Sequence, residues 1–273
     1  MPRARGPVAL ILLIALPLTA CLPGASDASV TRRIGACELK REAVCAGANF
    51  SHNDLSGLDL SRADFSGANF FRTNLTGTDL SGANLSGASL AGATLAKTKL
   101  AGANLGGVKL AGLDLSEFDL AGASLGGADL SGAKLRRADL RDSTLTKANL
   151  SGADLTEANL SGATLTKTNL GDATLAKTRL VGANLSKADL IGANLESADL
   201  SDANLTATEL DNATLDGARL RGAYLQGTSL TGANLENADL SGAYVDSLFL
   251  RGARLKGIKI TACEGPACEQ LKS

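Results

Sequence analysis

Apolar side chains return at every fifth residue, without slippage, from Phe50 to Ile260. Of these 43 centres 38 are Leu, and the others are Phe50, Phe65, Phe70, Val245 and Ile260. Two residues before each centre stands a second small or apolar residue, Ala in 28 of the 43 cases, with Thr, Leu, Ser, Asn, Val, Ile and Phe in the rest. The intervening positions are mostly polar, and 24 of the 31 glycines share one phase of the period, two residues after the centre. A period of five matches neither the 3.6 of an amphipathic helix nor the 2 of an alternating strand. One large and one small inward residue, followed by a polar position and a Gly, predict a short extended segment and then a bend, where Gly supplies the torsional freedom. Such a unit cannot bury its Leu alone. It must stack on copies of itself, so residues 46–260 are expected to form a solenoid.

Units such as Ala83-Asn84-Leu85-Ser86-Gly87 and Ala153-Asp154-Leu155-Thr156-Glu157 resemble the pentapeptide-repeat family, with its A(D/N)LXX consensus. The resemblance covers residues 46–260 and implies an all-β fold, a right-handed quadrilateral β-helix with four repeats per coil. The centre and the residue two before it would point inward, and 43 repeats would make about eleven coils. At about 4.8 Å per coil the rod would be roughly 50 Å long. Residues twenty apart would then lie directly above one another. One outward column reads Lys97, Glu117, Arg137, Glu157, Lys177; another reads Arg179, Asp199, Arg219, Asp239, Lys259; a third reads Asp114, Lys134, Asp154. Stacked strands favour alternating sign. Each exposed pair is worth only ~0.2–1 kcal/mol, so these columns are expected to set register more than stability.

Ahead of the repeats, Arg3 and Arg5 precede an apolar run from Val8 to Leu18. That is the pattern of a secretory signal and is too short to span a bilayer. The run ends in Leu18-Thr19-Ala20-Cys21, which resembles the lipobox of bacterial lipoproteins. The resemblance implies cleavage after residue 20 and lipidation of the Cys21 thiol. It implies a membrane anchor on the extracytoplasmic side of the cell envelope, with the outer membrane favoured in a Gram-negative organism because Leu22, not Asp, follows. Several acyl chains at ~0.8 kcal/mol per buried CH₂ make such an anchor effectively permanent. The chain then divides into a signal peptide (1–20), a lipidated Cys, tether and N-terminal cap (21–45), the repeats (46–260) and a C-terminal cap or tail (261–273).

Composition narrows the function. With 49 Leu against 6 Ile and 6 Val, and 3% aromatics, the chain lacks the residues of an ordinary β-sandwich, while 31 Gly exclude a helical domain. The net charge is −1, and loss of residues 1–20 leaves 25 cationic and 28 anionic groups, net −3. A nucleic-acid binder would show a basic face, so none is expected as a partner. The best-understood members of the family mimic DNA and inhibit gyrase, and a gyrase-interacting DNA mimic is therefore the alternative reading. Those proteins are strongly acidic rods, whereas residues 46–260 carry 20 Lys+Arg and 23 Asp+Glu.

The remaining cysteines flank the repeats. A rod of the expected length keeps Cys37 and Cys45 far from Cys263 and Cys268, and a disulfide needs Cα atoms within about 7 Å. The expected pairs are therefore Cys37–Cys45 and Cys263–Cys268, formed in an oxidising exported compartment. His52 is the only His and has no fitting company for a metal or a nucleophile. Asp columns that include Asp59 and Asp79 are broken by Ser, Thr or Lys and read as a solvated face rather than a calcium site. No G-K-[ST] follows the glycines. No catalytic residue, metal or cofactor is expected. Tyr224 and Tyr244 share an outward column and Phe249 lies one face away, beside Leu248 and Leu250; they cover the C-terminal end or form a contact patch for a partner or a homodimer. Lys147, Lys167 and Lys187 stack in one column, and with Arg136, Arg137 and Arg141 they read as a modest basic strip on a solvated face. The expected function is a membrane-anchored, non-enzymatic scaffold or protein-interaction module of the cell envelope, with an unidentified envelope protein as partner.

Overall fold

The computed structural model describes residues 32–272; the signal segment, Cys21 and the tether lie outside the described residues. A left-handed backbone conformation recurs at every fifth residue from Glu42 to Ala262, with φ between 52° and 76°. Four such corners close one coil. Of these 45 corners 24 are Gly and 21 are not, so the bend is imposed by stacking even where the local residue resists it. The result is a right-handed quadrilateral β-helix of about eleven coils. Between corners, the residue before nearly every centre pairs in parallel with its equivalent twenty residues on, as in Asn84↔Asn104 and Asp154↔Thr174.

The amides of a typical repeat find their partners in a recurring way. Around Leu85, the Leu85 amide donates to the Asn104 carbonyl (2.8 Å), Gly87 to Gly106 (3.1 Å) and Asn84 down to Ala63 (2.8 Å). Ala88 closes the corner by donating to the Leu85 carbonyl (2.9 Å). The fifth amide, Ser86, donates to the Asn84 side-chain oxygen at 3.2 Å. The Asp or Asn before the centre is thus an Asx cap for an amide that the ladder leaves over.

The centres and their small companions form one continuous core, with most of these residues fully buried. Where Thr replaces Ala at the small position, its hydroxyl donates to a centre carbonyl of the coil below: Thr73 to Phe50 at 2.7 Å and Thr168 to Leu145 at 2.7 Å. Among the described residues no buried side-chain polar atom lacks a partner. The largest side chains, Phe50, Phe65 and Phe70, meet in the first coils.

The coil geometry extends beyond 46–260 at both ends. Cys45 occupies a centre with Ala43 as its small companion, and Cys263 occupies a small inward position. At the N-terminal end β1 (Arg32–Ile34) pairs antiparallel with β2 (Cys37–Leu39), whose Cys37 and Leu39 are buried. Three-residue strands appear within the solenoid only at β3 (Tyr224–Gln226) and β4 (Tyr244–Asp246), which pair in parallel. At the other end a 3₁₀ turn, η1 (Cys268–Lys272), buries Leu271 against the last coil. The ladder runs through the stack with a single wide interruption, on three sides of the coil that carries Leu110, Leu115 and Leu120.

Candidate functional site

Cysteine chemistry closes both ends. Cys37 is bonded to Cys45 and Cys263 to Cys268, with Cα separations of 5.3 and 6.0 Å. Each bridge ties a terminal segment to the coil it covers, so unpaired strand edges at the ends are partly shielded. Cys21 lies outside the described residues.

The charged columns are real stacks with a different pairing in detail. In the first, Arg137 stands between Glu117 (3.6 Å) and Glu157 (2.9 Å), while Lys97 and Lys177 make no ion pair. In the second, Arg219 pairs with Asp199 at 3.8 Å, but the main partner of Asp239 is Arg221 at 2.7 Å. In the third, Asp154 is held by Arg136 at 3.1 Å rather than by Lys134. The vertical pairs thus form at Arg137 and Arg219, while Asp154 and Asp239 are held diagonally instead. Arg136 and Arg221 stand just after a centre, and their long planar arms reach diagonally to the carboxylate eighteen residues on. Lys147, Lys167 and Lys187 stack on one corner as expected, but the three Arg do not join them. Arg137 lies two corners before Lys147, on the opposite edge of the coil, and Arg136, Arg137 and Arg141 are all neutralised by carboxylates.

The Asp columns read from sequence as a solvated face turn out to build the backbone. Hydrogen bonds from the hydroxyl and amide of the Ser two residues on hold Asp54, Asp59, Asp64, Asp79, Asp114 and Asp129 below the usual carboxylate range. At Asp239, 6% exposed, burial acts to raise the carboxyl, but hydrogen bonds from Ser241 and Arg221 outweigh it and leave the group at about 2. Carboxyls depressed in the folded state stabilise it at pH values above their unfolded range, near 3.9, and that contribution is lost as pH falls toward the folded values. The urea midpoint should therefore be flat from about pH 8 to pH 5 and fall steadily below about pH 4. Asp239→Asn should flatten the lowest part of that fall, and a wild-type midpoint unchanged down to pH 2.5 would contradict this account.

The aromatic patch is present and exposed. Tyr224 and Tyr244 face each other across the β3–β4 pair with ring centroids 6.5 Å apart. Tyr224 is 55% exposed and Phe249, around the Ser247 corner, 59%, while Leu248 turns inward. A second, smaller aromatic group stands near the other end, where the exposed Phe71 meets the edge of His52 at 5.6 Å and the Arg72 guanidinium at 5.1 Å. Sequence reading passed over it because Phe71 adjoins the buried centre Phe70. Among the described residues no cluster of three or more His, Cys, Asp or Glu could hold a metal ion, and no helix is long and apolar enough to cross a membrane.

The family model for pentapeptide repeats matches this chain eight times, over residues 41–67, 68–107, 98–137, 133–172, 168–206, 183–222, 203–244 and 218–257. Among solved structures the chain is similar to HetL, a pentapeptide repeat protein involved in heterocyst differentiation regulation in the cyanobacterium Nostoc. That likeness has 34% identity and a TM-score of 0.60, and it covers 80% of this chain and 91% of HetL. Rfr23 of the cyanobacterium Cyanothece is 34% identical over 36% of this chain and 64% of its own, with a TM-score of 0.28. A trypsin-treated form of QnrB1, a plasmid-mediated fluoroquinolone resistance protein, is 17% identical over 77% of this chain and 90% of its own, with a TM-score of 0.38. No curated protein matches the chain.

Proposed function

The chain belongs to the pentapeptide-repeat family, and on that premise we propose that it is a membrane-anchored, non-enzymatic scaffold of the cell envelope that presents its side-chain columns to another protein. The observation that carries this reading is the lock between corner, ladder and Asx cap. It repeats outward-facing residues at fixed spacing over about eleven coils and leaves them little freedom, the preorganisation that protein contact favours. The lipobox-like Leu18-Thr19-Ala20-Cys21 supports the anchor at Cys21 and the extracytoplasmic address. Tyr224, Tyr244 and Phe249 form the patch best suited to a partner or to a second copy of the chain, because large rigid rings contribute contact area at small entropic cost. The near balance of charge in the repeats, with Arg standing beside carboxylates in the columns, favours this reading over DNA mimicry.

Fractionation tests the anchor. The full-length protein should sediment with membranes and be extracted by detergent, whereas Cys21→Ser should appear in the soluble fraction; membrane association that survives the substitution would overturn it. In the same preparation the mature chain should leave gyrase supercoiling unaffected, and inhibition would favour the DNA mimic instead.

A further inference from the structure

We propose that the solenoid contains a built-in hinge at the seam below the coil of Leu110, Leu115 and Leu120. On three of its four sides this coil makes no inter-coil backbone bond downward. The amides of Leu90, Leu95 and Leu100 have no acceptor in the coil above, and those of Lys109, Asp114 and Asp119 have none in the coil below. The corresponding bridges are absent, while the fourth side is continuous: Leu85 donates to Asn104 at 2.8 Å, Asn104 to Ala83 at 2.9 Å, and Asn84↔Asn104↔Ser124 pair in register. One bonded side and three open ones make a hinge with its mouth opposite the Leu85–Leu105 side.

The cause lies in the residues that face inward beside the centres. From 123 to 243 this position is held only by Ala, Thr or Ser, but in this one coil it carries Val108, Leu113 and Phe118 in three successive repeats. Beneath them lie Ala88, Ala93 and Thr98, in coils whose ladder spacing leaves room for a methyl group. The bulky side chains stay with the coil above, because Lys134 and Asp139 donate to the Leu113 and Phe118 carbonyls at 2.9 Å. The strain therefore falls on the seam below. Leu113, Phe118 and Ala93 are half-buried, whereas every counterpart from 123 to 243 is buried. A cavity of about 330 Å³ opens there, lined by residues 97–99 and 116–119.

The mouth is also charged to close. In register, Lys97 stands under Glu117 and Lys99 under Asp119, yet neither pair forms an ion pair; Lys99 bonds downward to Asp79 at 3.0 Å. Opposite charges across the mouth favour closure and the apolar wedge opposes it, the balance that gives a two-position element. The stacks on either side are each continuously bonded, so motion is confined to the seam.

Amide hydrogen exchange on the mature protein, resolved by residue, tests the hinge. In the wild type, exchange at Leu90, Leu95 and Leu100 should be on the order of 100-fold faster than at Leu130, Leu135 and Leu140. In Leu113→Ala/Phe118→Ala the three seam amides should slow toward the protection of the others. Equal protection in the wild type would show the seam closed and overturn the proposal, whether or not the variant folds. Fast exchange that persists in a folded variant would overturn the wedge as its cause.

Discussion

Phe65→Ala is expected to destabilise the N-terminal coils by ~3–5 kcal/mol, the range for emptying a fully buried aromatic site. Phe65 is fully buried and meets Phe50 at 5.4 Å and 88°, and Phe70 at 5.4 Å and 80°, both edge to face. Truncation removes both contacts, each worth ~0.5–1.5 kcal/mol beyond area. It also leaves a hole that cannot collapse, because Phe65 and the coils around it are pinned by backbone bonds such as Phe65 to Asn84 at 2.7 Å and Asp64 to Ala43 at 2.8 Å. In a stack where each coil touches only its neighbours, the loss should appear as early melting of the first coils while later ones persist. Urea denaturation followed by residue-resolved exchange would show two transitions in the variant. A single transition at the wild-type midpoint would refute the packing argument. Phe65→Leu, which fills most of the volume, should cost much less.

Gly265→Ala should unseat the C-terminal cap, at a cost of at least about 2 kcal/mol. Gly265 has φ +100°, outside the left-handed range of the corners, and a Cβ placed there would run into the Val245 carbonyl. Val245 cannot retreat, since its amide is bonded to Glu264 at 2.8 Å and its carbonyl accepts from Ala267 at 3.3 Å. Relief must come from the chain that follows, which carries Cys268 and the buried Leu271. Lifting it would expose Leu255, Ile258 and Ile260 and the open strand edge above them, so the variant should self-associate and be trimmed by protease at its C-terminus. Gly152→Ala supplies the contrast. A Cβ there meets nothing within 4 Å, and 21 corners already accept other residues at that conformation. Gel filtration and melting of the two variants side by side would separate the cases, and equal behaviour would remove Gly265 from its assigned role.

Much of this architecture is legible because a strict period leaves few solutions. Leu150 and Ala153 point inward because every unit of five must present the same two residues to the same core. The twenty-residue columns are legible once four units close a coil, as Arg137 between Glu117 and Glu157 demonstrates. What reading by column misses lies off the column. The diagonal reach of Arg136 and Arg221 depends on side-chain length and on which atoms the ladder leaves free. The purpose of Asn84 and its equivalents depends on one amide per repeat having no ladder partner, which is visible only when every backbone bond is placed. Phe71 was hidden by its buried neighbour Phe70, and Val108, Leu113 and Phe118 look like tolerable variants of an apolar site until the coil beneath them is seen.

The sequence by itself determined the repeat, its inward and outward positions, the placing of the cysteines at the two ends and the near balance of charge, because each follows from local residue type multiplied by an unbroken period. The tertiary structure alone decided which corners bend without Gly, which carboxylate each Arg holds, and where the ladder parts. Those outcomes depend on the competition between a side chain's volume or reach and the fixed spacing of the coil above or below, a quantity that exists only once the coils are stacked.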